Sequence, residues 1–273
     1  MTTPGIGARI DGGRTAEVFA YGAEQVVKVL RTGMPEILGE REARVAALVD
    51  AAGIGGPSFG GATRVDGRFG LVYERLDGPS MLEQLARTPT AIDRLARSFA
   101  ELHVTMHAAD GTGLLDQKAE VRGMIERAGN AVPADAAAAA LARLDVLPAG
   151  RSICHGDLHP GNVLMTSRGP VAIDWMTSSC GSPAGDVART LFLLRDSGIP
   201  GYLSRVRRTL MVLARRRFAS VYLRHYRAVA TLDPDEVRAW RLPVLAARLG
   251  EGIDEEAAAI RAELARELQR AGR

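Results

Sequence analysis

A short segment at 155–162, rich in acidic and turn-forming residues, constrains this chain more than any other part of the sequence. It reads His-Gly-Asp-Leu-His-Pro-Gly-Asn and is followed by two short runs, at 162–165 and 170–173, that meet at a turn containing Gly169. Proline and glycine exclude a helix here, and the two runs have the length of hairpin strands. We therefore predict a β-hairpin that delivers Asn162 and Asp174 to the same end.

The polar residues of this segment have a spacing that suits phosphoryl transfer. Asp157 precedes Asn162 by five positions, and Asp174 follows the hairpin. Such transfer needs a carboxylate that orients the acceptor hydroxyl, and hard oxygen ligands that hold magnesium against nucleotide phosphates. The spacing indicates Asp157 as the catalytic base and Asn162 and Asp174 as the ligands of Mg²⁺.

The runs HGDLHPGNVL and IDW, which contain these residues, resemble the signature of the aminoglycoside phosphotransferase and choline kinase family. The resemblance implies a bilobal protein-kinase-like fold and a small-molecule kinase that uses ATP or GTP with Mg²⁺. It implies that His155 supports the catalytic loop and that Asp186 braces this loop from the following helix. It also implies that the backbone of Glu74 and Leu76 binds the purine. The family's Gly-Asp-Pro before this helix is altered, with Ser182 at the position of the aspartate.

The remaining pattern predicts an α+β fold with two lobes. Up to residue 76, β-branched runs separated by glycines predict a small antiparallel β lobe with one helix, which we assign to nucleotide binding. From residue 77 to 273, apolar residues recur at three and four positions, which predicts a larger, mainly helical lobe with the catalytic loop and the acceptor site. The predicted elements are strands at 15–21, 25–30, 58–64 and 70–74 and helices at 36–52, 80–87, 91–107 and 131–144, the last on the surface.

Lys28 interrupts an apolar strand, and the chain has only two lysines among its 35 basic residues. A lysine among valines is costly to bury without a partner. Kinases supply two partners, the nucleotide phosphates and a glutamate of the following helix. The alternative is an edge-strand lysine whose ammonium reaches solvent.

The helix predicted after the lysine strand offers two glutamates as its partner. Glu42 recurs with Val45 and Val49 at spacings of three and four, so it shares the apolar face. Glu40 falls on the outer face. We therefore predict an ion pair between Lys28 and Glu42.

A glycine-rich turn precedes the second predicted strand. Gly12, Gly13 and Thr15 can place backbone amides and a hydroxyl over nucleotide phosphates. A pair of glycines before a strand is also common in ordinary turns, and it departs from the Gly-x-Gly-x-x-Gly of protein kinases. Its position before Lys28 favours a phosphate-binding role.

Two pairs of histidines raise the alternative of a zinc-binding site. His155 and His159 are four residues apart, but the proline that follows prevents a helix that would present both rings on one face. His103 and His107 lie on a predicted helix beside a leucine stripe, where packing or surface exposure is the usual role. We expect no zinc site at either pair.

The acceptor is expected to be a small hydroxylated molecule. Asp186 follows Asp174 by twelve positions and no Ala-Pro-Glu is present, so the activation segment of protein kinases has no room. Carboxylates between 233 and 256 would suit a polycationic aminoglycoside, but neighbouring arginines dilute them, so other antibiotics and metabolites remain candidates. Two alternatives are a small atypical protein kinase and a catalytically silent nucleotide-binding pseudokinase.

Composition bears on partners and location. The net charge is +3, with basic and acidic residues interspersed, so we expect no nucleic-acid partner, although residual binding by the arginine-rich helices is an alternative. The amino terminus has no apolar run and no segment has the length of a membrane span, which favours a cytoplasmic protein without a membrane partner. Cys154 and Cys180 are then free thiols. We expect a monomer or a homodimer.

Overall fold

The computed structural model describes residues 5–13, 15–198 and 204–271 of the 273-residue chain. In chain order the strands and helices are β1 (Ile6–Gly12), β2 (Ala16–Tyr21), β3 (Gln25–Leu30), α1 (Glu36–Ala52), β4 (Phe59–Val65), β5 (Arg68–Glu74), α2 (Met81–Arg87), α3 (Ile92–His107), α4 (Gln117–Ala128), α5 (Ala134–Val146), β6 (Ser152–Cys154), β7 (Val163–Thr166), β8 (Gly169–Ala172), β9 (Ser179–Gly181), α6 (Pro183–Arg195), α7 (Arg205–Val229), α8 (Pro234–Ala239), α9 (Arg241–Leu249) and α10 (Asp254–Ala271). The α+β class predicted from the sequence is confirmed.

The described residues form two compact units. The first consists of the chain up to Arg87 together with Pro160–Ser178, and the second combines Thr88–His159 with the chain from Ser179 onward. The first unit includes the hairpin because Leu164 on β7 forms a backbone bridge with Ser80, just before α2. The lobe boundary at residue 76 stays a prediction.

A five-stranded antiparallel sheet in the order β1-β2-β3-β5-β4 forms most of the first unit. Val27 and Val29 of β3 are fully buried on one face. Side chains alternate along a strand, so Lys28 lies on the other face, in register with Val18 on β2 and Leu71 on β5. The strand pattern therefore determines which way the lysine points.

Helix α1 packs on β4 and β5 and has the predicted bounds. Its buried face contains Glu42, Val45 and Val49, whereas Glu40 is exposed. The helix ends at Gly53, which has φ 63° and provides the left-handed conformation that a helix terminus favours. The predicted choice of Glu42 as the inward glutamate is confirmed.

The predicted hairpin is present as β7 and β8. Val163 pairs with Ala172, and the turn closes between Thr166 and Gly169. At the open end, the amide of Ile173 donates to the carbonyl of Asn162 at 2.9 Å. This bond brings Asn162 and the start of the following turn together.

The second unit is mainly helical. Helices α4, α5 and α10 pack against α9, and α3 packs against α7. The core of this unit contains Trp240 and the apolar face of α5, on which Ala136, Ala140 and Leu144 are buried. The predicted surface helix at 131–144 therefore exists from Ala134 but buries its alanine face, because neighbouring helices cover it.

Strands β1 and β9 and helix α4 are absent from the sequence-based prediction. β1 is exposed over six of its seven residues, so it lacks the buried alternation typical of a strand. Among the described residues, none of the helices combines the length and the apolar character needed to cross a membrane.

Candidate active site

A cavity of about 470 Å³ opens within the first unit. Its walls come from the sheet, the glycine-rich turn, α1, the segment after β5 and the β7–β8 hairpin. The residues predicted to bind nucleotide or metal all line it: Gly12, Gly13, Thr15, Lys28, Glu42, Glu74, Leu76, Asn162 and Asp174.

Lys28 makes two ion pairs at the wall of this cavity. Its Nζ lies 2.8 Å from Glu42 Oε1 and 2.7 Å from Asp174 Oδ1. Glu42 is buried and also accepts a hydrogen bond from the hydroxyl of Tyr73 at 3.2 Å. The predicted pair between Lys28 and Glu42 is therefore present, and the reading of Lys28 as a solvent-directed edge lysine is wrong.

Ionisation of this cluster follows from its charges. Burial alone would lower the pKa of Lys28, but the carboxylates of Glu42 and Asp174 outweigh it and raise the pKa above its usual value. Burial, together with the charge of Glu42, raises the pKa of Tyr73 well above its usual value. Lys28 is thus a cation, and Tyr73 stays protonated and donates a hydrogen bond to Glu42.

Asp174 has a strained backbone. Its φ of 64° and ψ of 64° are left-handed, a conformation that costs an L-residue roughly 1–2 kcal/mol. The residue links β8 to a single 3₁₀ turn at 175–177, in which the indole of Trp175 is buried and donates to the carbonyl of Ala172 at 3.0 Å. The packing of the Trp175 indole stabilises this strained conformation of Asp174. From this backbone conformation, the side chain of Asp174 reaches Lys28.

The oxygens at the open end of the hairpin suit a divalent metal. Asn162 supplies an amide oxygen and Asp174 a carboxylate, and both line the cavity. Magnesium in nucleotide sites typically takes one or two protein oxygens together with phosphate oxygens and water. The residues present fit Mg²⁺.

Glu74, the last residue of β5, and Leu76, two positions further on, border the cavity. The amide of Glu74 donates to the carbonyl of Ser58 at 3.0 Å, so any purine contact of Glu74 would use its carbonyl. Its side chain pairs with Arg168. The side chain is therefore engaged away from base recognition, as the resemblance implies.

The glycine-rich turn differs in one respect from the prediction. The amide of Gly12 donates to Asp11 Oδ1 at 2.7 Å, and the amide of Gly13 donates to the carbonyl of Ala16 at 3.0 Å. Both amides are used to close the turn itself. Thr15 lines the cavity as expected, and Arg14 lies outside the described residues.

In the second unit, Asp186 holds the loop that carries Asp157. Its Oδ2 accepts from the amide of His155 at 2.6 Å and its Oδ1 from the amide of Gly156 at 2.9 Å. The amide of Asp157 lies 3.3 Å from His155 Nδ1. Asp186 and His155 are both buried, so the predicted contact between Asp186 and the loop is present.

Two buried histidines of α3 complete the surroundings of Asp186, and sequence reasoning missed their role. The Nε2 atoms of His103 and His107 lie 3.0 and 3.2 Å from Asp186 Oδ2. Their Nδ1 atoms lie 2.8 Å from the hydroxyl of Tyr222 and 2.6 Å from that of Tyr226. The signal was present, because both pairs are four residues apart on their helices.

The protonation of His103 follows from its burial. Burial, with the neighbouring His107, lowers the pKa of His103 to about 4. The hydrogen bonds from both rings hold the pKa of Asp186 well below its usual value against the effect of burial. His103 is then neutral and donates to Asp186. Although these three side chains are close enough to hold a metal, Asp186 also binds two backbone amides, and hydrogen bonding accounts for the arrangement.

Asp157 lies between two basic side chains in the second unit. His159 Nε2 is 3.9 Å from Oδ2, and Arg189 is 3.8 Å from Oδ1. The Nε of Arg189 donates to the carbonyl of Gly156 at 3.2 Å, and the same guanidinium lies 2.6 Å from Glu251. Sequence reasoning did not identify Arg189, because its contacts join residues far apart in the chain.

A family model described as the phosphotransferase enzyme family matches residues 7–240, which include every predicted site residue. No curated protein sequence matches the chain at a significant level.

Several solved structures share the fold. An aminoglycoside phosphotransferase in a streptomycin–ATP ternary complex is 14% identical with a TM-score of 0.61, covering 97% of this chain and 92% of that one. A choline/ethanolamine kinase family protein from Mesorhizobium loti is 17% identical with a TM-score of 0.58, covering 95% and 85%. A macrolide 2'-phosphotransferase from Brachybacterium faecium is 21% identical with a TM-score of 0.56, covering 94% and 90%.

Proposed function

Because this chain belongs to the phosphotransferase enzyme family, we propose that it is a small-molecule kinase that transfers the γ-phosphate of ATP or GTP to a hydroxyl group. The observation that carries the proposal is the position of Lys28, whose ammonium lies between Glu42 and Asp174 in a cavity that Asn162 also lines. A lysine fixed in this way presents its charge to an anion in the cavity. The phosphates of a nucleoside triphosphate are such an anion.

Asn162 and Asp174 would hold magnesium. When bound, Mg²⁺ neutralises the charge of the triphosphate and of the phosphoryl group in transfer. The strained backbone of Asp174 supports this role, since strained residues are concentrated at functional sites.

The remaining cavity residues would hold the nucleotide. The backbone of Glu74 and Leu76 faces the purine, and Gly12, Gly13 and Thr15 border the phosphates. Glu42 would orient Lys28, because its Oε1 accepts hydrogen bonds from both Lys28 and Tyr73.

Asp157 would act as the base that orients the acceptor hydroxyl and takes its proton. Its loop is held by Asp186 through two backbone amides, with His155 buried behind it. Positioning of this kind supplies much of the rate enhancement in phosphoryl transfer.

A small molecule is the favoured acceptor. The residues between Asp174 and Asp186 are all described, and the 3₁₀ turn at 175–177, β9 and the start of α6 take up most of this stretch. They leave no activation segment for a peptide substrate. The similar structures include a ternary complex with streptomycin and ATP, a macrolide 2'-phosphotransferase and a choline/ethanolamine kinase family protein. We propose an antibiotic of the aminoglycoside kind or a hydroxylated metabolite.

A panel of acceptors tests this function. The protein is incubated with MgATP or MgGTP and with kanamycin, streptomycin, erythromycin, choline or homoserine, and release of ADP or GDP is measured. We expect at least one acceptor to stimulate release, and Asp157→Ala to remove the stimulation. Phosphate found on the protein itself, with no acceptor active, would instead indicate a protein kinase.

A further inference from the structure

Behind the glycine-rich turn, one carboxylate of the sheet meets three arginines. Glu17 on β2 lies 3.6 Å from Arg9 on β1, 3.6 Å from Arg31 just after β3, and 3.2 Å from Arg68 on β5. The hydrogen bond from Arg68 helps to lower the pKa of Glu17, so this carboxylate stays ionised. Glu17 follows the turn by two residues and faces away from Lys28, since side chains alternate along a strand.

Two of these arginines also bind the backbone of the turn. The Nε of Arg31 donates to the carbonyl of Gly13 at 2.9 Å, and the backbone amide of Arg31 donates to the carbonyl of Thr15 at 2.9 Å. The Nε of Arg9 donates to the carbonyl of Asp11 at 3.3 Å. The carbonyls of Asp11, Gly13 and Thr15 therefore all accept hydrogen bonds. These three residues line the nucleotide cavity.

Gly12 lies directly against the guanidinium of Arg9. A Cβ at this position would collide with the guanidinium of Arg9, whereas Gly13 has open space around it. Gly12 thus gives Arg9 room to reach the turn and Glu17.

We propose that Arg31 and Glu17 are positioning residues that fix the glycine-rich turn before the triphosphate binds. Glu17 orients the guanidinium of Arg31, and Arg31 in turn holds the carbonyl of Gly13. A fixed carbonyl cannot rotate toward a phosphate, which it would repel, and a turn ordered in advance loses less entropy on binding. This role rests on the proposed function. It makes nucleotide affinity depend on two residues, Glu17 and Arg31, that do not line the cavity.

The alternative is an ordinary ion cluster on the surface of the sheet, which would contribute little. Arg64 offers a matched control. It lies 2.8 Å from Glu36 and donates to the carbonyl of Gly67 at 3.0 Å. It therefore joins a carboxylate to a turn carbonyl as Arg31 does, but at the β4–β5 turn, which is not among the described residues that line the cavity.

The experiment compares the affinities of wild type, Arg31→Met, Arg31→Lys, Glu17→Gln and Arg64→Met for MgATP and for adenosine by calorimetric titration. We expect Arg31→Met to weaken MgATP binding about tenfold. Arg31→Lys and Glu17→Gln should show smaller losses. Adenosine affinity should stay at the wild-type value in all of them, and Arg64→Met should bind both ligands normally.

Each other outcome has a distinct meaning. Equal losses for MgATP and adenosine, or unchanged MgATP affinity in both Arg31→Met and Glu17→Gln, would overturn the positioning role. If Arg31→Met does not fold, Glu17→Gln, which preserves side-chain shape, decides the question alone. Failure of the wild type to bind MgATP or MgGTP would instead overturn the proposed function, and the inference with it.

Discussion

Lys28 Nζ lies 2.7 Å from Asp174 Oδ1, although the two residues are 146 positions apart in the chain. The contact joins the middle of β3 to a residue two positions beyond the end of β8. It places a cation, a carboxylate and the amide of Asn162 around one cavity. The account of nucleotide binding depends on this arrangement.

Glu42→Gln should impair nucleotide-dependent turnover and lower the free energy of unfolding by about 1–3 kcal/mol, because Lys28 loses a buried anionic partner. Glu42 Oε2 has no hydrogen-bond partner among the described residues, so the ion pair with Lys28 is the main interaction that compensates for burial of the Glu42 carboxylate. Turnover and urea denaturation measure the effect. Glu40→Gln, on the exposed face of the same helix, is the control, and a larger effect of Glu40→Gln would show that the helix phase is misread.

Asp157→Ala should reduce acceptor-dependent turnover by about 10²–10⁴-fold, the usual contribution of a positioned base. The cavity proposed to bind the nucleotide lies within the first unit, and Asp157 belongs to the second. MgATP affinity should therefore stay close to that of the wild type. Steady-state rates and a binding titration on the same preparation test both statements, and unchanged turnover would show that the base is misassigned.

Arg189→Met should lower the turnover number about tenfold and leave MgATP affinity unchanged, because Arg189 holds the carbonyl of Gly156 beside the base. The turnover number of Arg189→Lys should fall between those of the wild type and Arg189→Met, since lysine keeps the charge but loses the guanidinium fork. Arg195→Met, on the same helix α6, serves as control. A loss of MgATP affinity that matches the loss in turnover would argue against a role limited to the base.

The buried His103 predicts a pH dependence of stability. The pKa of His103 falls from 6.5 in the unfolded chain to about 4 in the folded protein, so between these values the unfolded chain binds the extra proton. Stability should therefore decrease as the pH falls through this window, by about 2–3 kcal/mol between pH 7 and pH 4.5. The low pKa of Asp186 acts only below its unfolded value of 3.8, outside the window.

Chemical denaturation at several pH values measures this slope. His103→Gln should lose most of it, whereas His225→Gln, on a partly exposed histidine that binds Glu101 at 2.8 Å, should retain it. An unchanged slope in His103→Gln would contradict the assignment of a neutral buried imidazole.

Local patterns predicted much of the first unit and of its cavity. The valines around Lys28 specified a strand, and the recurrence of Glu42 with Val45 and Val49 specified which glutamate faces inward. β1 was missed because its residues are almost all exposed, so its place in the sheet comes from pairing with β2 rather than from its own pattern.

Contacts between distant elements could not be predicted in this way. Arg31 and Arg189 are ordinary surface arginines in the sequence, and their roles depend on which carbonyls lie beside them after folding. α4 is rich in charged residues, and the clearest local sign of it is Asp116, whose side chain caps the helix by accepting from the amide of Ala119 at 2.8 Å. Such a cap is a readable start signal.

Magnesium-dependent nucleotide binding is the most direct test of the central claim. Calorimetric titration of ATP into the wild type and Asp174→Ala, with Mg²⁺ and with EDTA, isolates the contribution of the metal. We predict that the wild type binds ATP at least tenfold more tightly with Mg²⁺ and that Asp174→Ala loses this difference. An Asp174→Ala variant that binds MgATP as tightly as the wild type, with the same dependence on Mg²⁺, would contradict the assignment of this cavity as the site of phosphoryl transfer.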